Sequence, residues 1–424
     1  MRERDGIERQ DTARPGLLSL NPLGRPLKLI RNEHPQHNAR LDPVDADTLS
    51  IAAAHQVGTF LARRANYEPT PLHRLSSLAA ELAVGEILIK DEGLRLGLGS
   101  FKALGGSYAV IRLVLETASR CLGRAVGIDE LNDADVREAA SRMTVACATD
   151  GNHGRSVAQG AQLAGTKAVI FVHSGVSDER VAAIAGYGAA IIRVDGNYDD
   201  SLCEASRVCA ERGWIVVSDT SWPGYERIPG LVMQGYTAII SEALRQMSDP
   251  PTHLFIQAGV GGVAAALAGH FAIVLGKKRP TVVVVEPARA ACVYETARAG
   301  HPVKINQGEP TVMAMLECYE PSLVAWRILT RVADAFMTVE ESDAIDVMKR
   351  LACPASRDPP IVAGESGGVG LAGLIRIARN EEAGAKIGLS RSSRIFVINT
   401  EGATDRELYL RLTGLAPDHV GKVA

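Results

Sequence analysis

Short apolar runs and longer amphipathic segments alternate along most of this 424-residue chain. The runs at 86–90, 144–148, 167–172, 189–194, 214–218, 253–257, 281–286 and 394–399 are rich in Val, Ile and Ala and predict buried strands. Between most of them, apolar positions recur at helical spacing over 102–118, 155–164, 178–187, 199–212, 229–247, 262–274 and 340–351. A further helix is expected over 47–64, followed by the proline-limited segment Tyr67-Glu68-Pro69-Thr70-Pro71-Leu72. Strand, helix and strand in alternation predict parallel sheets covered on both faces, an α/β fold. Residues 1–48 lack this periodicity and read as an extended arm or partly ordered lead-in. Four evenly spaced β/α units between Gly105 and Tyr225 make a candidate compact subdomain inside a larger one.

Composition narrows the function classes. The length is too great for one small core, so two domains are expected. With 46 Lys+Arg against 49 Asp+Glu, the net charge of −3 offers no footprint for nucleic acid or an anionic membrane. The stretch 254–276 holds no Asp, Glu, Lys or Arg and is long enough to span a bilayer. Gln257, the Gly259/Gly261/Gly262 cluster and His270 interrupt it, however, and favour a strand–loop–helix reading. The N-terminus, Met1-Arg2-Glu3-Arg4-Asp5, is charged and no apolar segment follows, so no signal peptide is expected. Seven cysteines at irregular spacing, with no Cys-x-x-Cys, indicate neither a zinc site nor a secreted disulfide framework. Whether Cys292 and Cys318 meet stays open. The expectation is a cytoplasmic enzyme with a small-molecule substrate and no metal.

Three segments can carry chemistry. Gln257-Ala258-Gly259-Val260-Gly261-Gly262-Val263 follows a strand and opens a helix, where glycine N–H groups and the helix N-terminus suit an anion such as a phosphate. No Gly-Lys-Ser/Thr follows, which excludes a nucleotide P-loop. A dinucleotide site with Glu286 at the end of the next strand, and a purely structural glycine turn, both remain open. Lys102 follows the glycine-rich Gly97-Leu98-Gly99-Ser100-Phe101 at a helix start, where the macrodipole disfavours a cation. A lowered pKa and a Schiff-base role are one reading, and a surface lysine is the other. Thr149-Asp150-Gly151-Asn152-His153-Gly154 builds a second anion-accepting turn, in which Asp150 can act or merely cap the helix. His153 has no partner at metal-ligand spacing and reads as a packed histidine.

Taken in order, Ser100-Phe101-Lys102, Asp150-Gly151-Asn152-His153-Gly154, the Gly259–Gly262 loop and Gly364-Glu365-Ser366-Gly367-Gly368 resemble the pyridoxal-phosphate enzymes of the tryptophan-synthase-β type. Within that fold type the chain is most similar to the diaminopropionate ammonia-lyase family. Met233-Gln234-Gly235-Tyr236, Asp219-Thr220-Ser221-Trp222 and Thr400-Glu401-Gly402-Ala403-Thr404-Asp405 support the likeness, which runs from about Tyr67 to Asp405. The lead-in Leu96-Gly97-Leu98-Gly99-Ser100 departs slightly from the family form.

The resemblance implies PLP fold type II: two three-layer α/β/α domains with mostly parallel sheets. Residues 49–104 and 226–424 would form the large cofactor-binding domain, 105–225 a small inserted domain, and 1–48 an arm. It implies pyridoxal 5'-phosphate as cofactor, a Schiff base on Lys102, Phe101 beside it, and the phosphate on Gly259, Val260, Gly261 and Gly262. Asn152 would meet the ring hydroxyl, and Thr400 would be a neutral partner for the ring nitrogen. Glu286 then becomes structural. Asp150 and Asp219 are the expected acids, with Lys102 serving the L-isomer of 2,3-diaminopropionate and Asp150 the D-isomer. The implied reaction is α,β-elimination through a Lys102 aldimine and aminoacrylate to pyruvate and two ammonia, in a homodimer. The alternative is a dehydratase of serine, threonine or 3-hydroxyaspartate.

Overall fold

The structure, a computed structural model, describes residues 27–422 except 66, 150, 197 and 356. Among these described residues, eleven strands form two sheets. In chain order they are β1 (Leu29–Arg31), β2 (Leu72–Arg74), β3 (Glu86–Asp91), β4 (Thr144–Ala148), β5 (Lys167–His173), β6 (Ala190–Val194), β7 (Ile215–Val216), β8 (His253–Gln257), β9 (Thr281–Pro287), β10 (Ala335–Val339) and β11 (Arg394–Asn399). The larger sheet runs β1-β10-β9-β8-β11-β3-β2 and the smaller β6-β5-β4-β7. Only the outer pairs of the larger sheet, β1 with β10 and β2 with β3, are antiparallel. The α/β expectation therefore holds, and all eight expected strands are present, though 214–218 shrinks to Ile215–Val216.

Alternation along each strand shows why the sheets are covered on both faces. On β9, Val282 and Val284 face one core while Val283 and Val285 face another. On β11, Phe396 and Ile398 share the first core, and Ile395 and Val397 the second. The smaller sheet sends Val145, Cys147, Ile170 and Val172 into that same first core, with Ala146, Val169 and Phe171 packed on its far side. One apolar core thus joins the two sheets, and strands buried on both faces read as continuous apolar runs. The charge-free stretch near 254–276 is β8 followed by a helix, Gly262–Leu275, whose first ten residues are all buried. Among the described residues no helix is long and apolar enough to cross a membrane.

One expectation needs correction, and two points left open gain detail. The helix over 47–64 is two, Pro43–Thr48 and Ile51–Ala62, because Ser50 caps the second through its Oγ, which accepts from the Ala53 N–H at 3.0 Å. The described end of the arm is tied into the fold: β1 extends the larger sheet, and Asn32 Nδ2 donates to the Ala333 and Thr330 carbonyls at 2.7 and 2.9 Å. Cys292 and Cys318 are not joined by a disulfide.

A buried charge network fixes the loop ahead of Lys102. Arg95, fully buried, donates to Glu92 and to both oxygens of Glu242 at 2.7–2.8 Å. Lys90 Nζ lies 2.8 Å from Glu242 Oε2, so two cations face two carboxylates with no net charge. Thr70 and Tyr67 satisfy remaining lone pairs on the acids. Removing one partner leaves an uncompensated interior charge, which costs about 3–5 kcal/mol. Glu242→Gln should therefore lower the urea midpoint of unfolding by an amount equivalent to about 3 kcal/mol. An unchanged midpoint would contradict this role for the network.

Candidate active site

Chain segments leaving the carboxyl ends of β3, β4, β7, β8 and β11 supply the site, as expected where parallel strands end together. The segment after β3 makes a 3₁₀ turn (Glu92–Gly97) and bends with positive φ at Leu96, Gly97 and Gly99 (52°, 72° and 77°). It is stitched to the end of β11: the Phe101 N–H donates to the Thr400 carbonyl at 3.0 Å, and the Gly402 N–H to the Gly99 carbonyl at 2.9 Å. Lys102 then opens the helix Lys102–Leu122. Its Nζ donates to Asp219 Oδ2, and it lies 5.5 Å from the Phe101 ring, which itself packs 4.9 Å from the Tyr236 ring. An ideal Cβ at Gly105 would sit 2.6 Å from Tyr236 Cε1, so only glycine leaves room for that ring.

The electrostatics of this pair reverse one expectation. Burial pulls the Lys102 amine down, but the Asp219 carboxylate outweighs it and holds the pKa above the ordinary lysine range, not below it. Burial likewise raises Asp219, yet Lys102 and His153 hold it well below the usual carboxylate range. Asp219 is thus the anionic half of an ion pair and not a mere turn residue. His153 is buried; burial lowers its pKa, with Asp219 opposing. Its Nε2 donates to the Val217 carbonyl at 2.8 Å, leaving Nδ1 4.0 Å from Asp219 Oδ2 without a hydrogen bond.

The other expected residues flank this pair. After β8, Gly261 turns the chain with φ of 92°, and the helix Gly262–Leu275 begins, so N–H groups of Gly259 to Gly262 are presented at a helix N-terminus. The loop is braced from behind, where the Ser322 N–H donates to the Val260 carbonyl at 2.9 Å and a Cβ on Gly259 would come within 3.0 Å of Cys318 Sγ. An ideal Cβ on Gly262 would lie 3.6 Å from the Asp219 carbonyl oxygen, which places the loop beside the ion pair. Gln257 Nε2 donates to Thr400 Oγ1 at 2.8 Å, and the Thr400 hydroxyl donates in turn to the Ser366 carbonyl at a long 3.4 Å. Asn152 opens the helix after β4, and its Nδ2 donates to Glu401 Oε2 at 2.8 Å. Asp150 lies outside the described residues. Glu286, fully buried, accepts from the Val293 and Tyr294 N–H groups at 2.8 and 2.6 Å, the structural role expected of it once the dinucleotide reading is set aside.

These residues fit pyridoxal phosphate. An amine, N–H groups at a helix N-terminus, a carboxamide and a neutral hydroxyl match the cofactor's carbonyl, phosphate, ring hydroxyl and ring nitrogen in kind. Ser100 Oγ, His153 Nδ1, Tyr236 Oη and Glu401 Oε1 are buried without hydrogen-bond partners, which is costly in a filled core and ordinary around a polar ligand. A cleft of about 280 Å³ opens beside them, lined by Gly99, Gly151, Asn152, Arg155, Arg180 and Thr404. Sequence reasoning assigned no part to Tyr236, Glu365 or Glu401. The available signal was an acid in each of two otherwise apolar or glycine-rich stretches, Val397-Ile398-Asn399-Thr400-Glu401 and Gly364-Glu365-Ser366-Gly367-Gly368.

The family model for pyridoxal-phosphate-dependent enzymes matches residues 64–401. The chain is 39% identical over 357 residues to the diaminopropionate ammonia-lyase of Escherichia coli (strain K12), covering 82% of this chain and 88% of that protein. It is 36% identical over 365 residues to the diaminopropionate ammonia-lyase of Salmonella typhimurium, covering 84% and 90%. Among solved structures, Escherichia coli diaminopropionate ammonia lyase in complex with an aminoacrylate-PLP azomethine reaction intermediate matches with a TM-score of 0.81. The identity there is 36%, with 92% of this chain and 97% of that chain covered.

Asp219→Asn removes the carboxylate that keeps Lys102 charged while leaving burial, which lowers its pKa, in place. In cofactor-free protein, acylation of Lys102 at mildly alkaline pH, followed by peptide mass mapping, should then speed up by about tenfold or more. Equal rates in the two proteins would contradict the assigned charge pair.

Proposed function

Because this chain belongs to the pyridoxal-phosphate-dependent enzymes and, within them, to the diaminopropionate ammonia-lyases, we propose that Lys102, Asp150 and Asp219 carry its elimination chemistry. The enzyme is a carbon–nitrogen lyase that uses pyridoxal 5'-phosphate to eliminate ammonia from 2,3-diaminopropionate. Elimination gives ammonia and aminoacrylate, which takes up water to become pyruvate and a second ammonia. The observation that carries the residue assignment is the Lys102–Asp219 pair, set at the convergent strand ends beside the glycine loop.

The bound cofactor supplies an electron sink for negative charge at the substrate Cα. The chain supplies the rest. Lys102 is the amine that anchors the cofactor, Gly259, Val260, Gly261 and Gly262 hold its phosphate, and Asn152 and Thr400 orient the ring with Phe101 beside it. Once released from that anchoring, Lys102 Nζ takes the α-proton of the L-isomer, and Asp150 takes that of the D-isomer. Asp219 then stabilises the ammonium that Nζ becomes on taking that proton, and the proton so held is available to the departing amino group. Thr400, a neutral hydroxyl already accepting from Gln257, has no charge with which to hold a proton on the ring nitrogen.

The same reading divides the chain into a large domain (49–104 and 226–424) and a small one (105–225), which carries the whole four-stranded sheet. It makes the enzyme a cytoplasmic homodimer. Free cysteines among the described residues suit a reducing compartment. Val44 and Ile51, 61% and 62% exposed, offer a second copy an apolar contact.

The test is keto-acid release by cofactor-loaded protein from D- and L-diaminopropionate, with L-serine and L-threonine alongside. Pyruvate should come from both isomers and little keto acid from the hydroxy amino acids. Lys102→Ala should abolish turnover. Asp150→Asn should lower kcat/KM for the D-isomer by about 10²-fold or more while the L-isomer loses far less. Equal losses for both isomers would refute the division of labour, and turnover of serine or threonine alone would make the enzyme a dehydratase.

A further inference from the structure

Two buried acids, Glu365 and Glu401, have no part in the chemistry above. Glu401 follows Thr400 at the end of β11, is 2% exposed, and is held by a backbone bridge to Ser100, two residues before Lys102. Its Oε2 accepts from Asn152 Nδ2 at 2.8 Å, and its Oε1 has no hydrogen-bond partner. Glu365 is 1% exposed, and neither of its oxygens has one. The segment carrying Glu365 reaches Glu401 only because residue 364 is glycine. An ideal Cβ there would lie 2.5 Å from the Gly402 carbonyl oxygen and 3.2 Å from Glu401 Cγ. Two carboxyls thus share an interior site, with the Asn152 amide donating to one of them and the Arg180 guanidinium acting on both.

We propose that Glu401 positions the Asn152 carboxamide at the cofactor, and that Glu365 beside it sets the charge Glu401 carries while doing so. This rests on the cofactor-binding role of Asn152 given above. With Glu401 neutral, its carboxyl oxygen accepts one Asn152 N–H and leaves the second N–H and Oδ1 for the ring hydroxyl. With Glu401 ionised, the same bond becomes charge-assisted, draws the amide toward itself and puts a negative charge beside the cofactor.

Burial, then repulsion from Glu365, pushes the Glu401 carboxyl up to about 8; Arg180, Asn152 and the Ser366 N–H oppose this. Glu365 is itself raised by burial, with Arg180 opposing and Asp405 assisting. Because the folded-state value lies above that of the unfolded chain, the contribution of Glu401 to stability is full below the ordinary carboxylate range. It is lost as pH rises through about 8.

Two titrations of wild type, Glu401→Gln and Glu365→Gln test this. In cofactor-loaded protein, the visible absorption band should show a transition near pH 8. Glu401→Gln should abolish that transition. Glu365→Gln, which removes the repelling charge, should lower its midpoint by about one pH unit or more. In cofactor-free protein, thermal unfolding should show falling stability over the same range in wild type and a flatter profile in Glu401→Gln. A visible transition that survives in Glu401→Gln, or a midpoint unmoved in Glu365→Gln, overturns the proposal. If cofactor-free protein titrates as stated but the visible band does not respond, the acid pair exists and its action through Asn152 is refuted. Neither titration depends on which substrate is turned over, so failure here is distinct from failure of the elimination reading.

Discussion

A partly buried lysine amine at a helix start is unfavourable twice over: burial penalises its charge, and the helix dipole repels it. Asp219 resolves both at once by pairing with Lys102. The pair makes other features necessary. Asp219 must arrive from the end of the smaller sheet, so that sheet must be held in register with β3 and β11. The loop leading to Lys102 must be rigid, which accounts for the neutral network of Lys90, Glu92, Arg95 and Glu242 beneath it. Tyr236 must lie against Gly105, which has no side chain to displace it.

The shared core turns these requirements into one structure. Alternate residues of both sheets enter the same apolar cluster, so the strand ends that present Lys102, Asn152, Asp219, the glycine loop and Thr400 cannot shift independently. Close packing transmits displacement where a looser interior would absorb it. The site gathers polar atoms that lack protein partners, a cost that a bound polar cofactor offsets.

Much of this was legible along the chain, for reasons that also mark the limits. Strands such as Thr281–Pro287 show up because burial on both faces demands an unbroken apolar run. β10 has the same character, but a five-residue run reads equally as part of a helix, and β1 is too short to show any period. The glycine loop and Lys102 were visible as motifs. The direction of the Lys102 pKa was misread because the deciding carboxylate lies 117 residues away. Arg95 and Glu242 are 147 residues apart, so their pairing leaves no local trace, and the Glu401–Asn152 bond spans 249. Contacts of that separation are made by the fold and not by spacing.

The central claim is that Lys102, paired with Asp219 when free, is the amine that holds the cofactor. The most direct measurement is borohydride reduction of cofactor-loaded protein followed by peptide mass mapping. The account predicts a phosphopyridoxyl group on Lys102 and on no other lysine. A label on another lysine, with Lys102 unmodified, would contradict it.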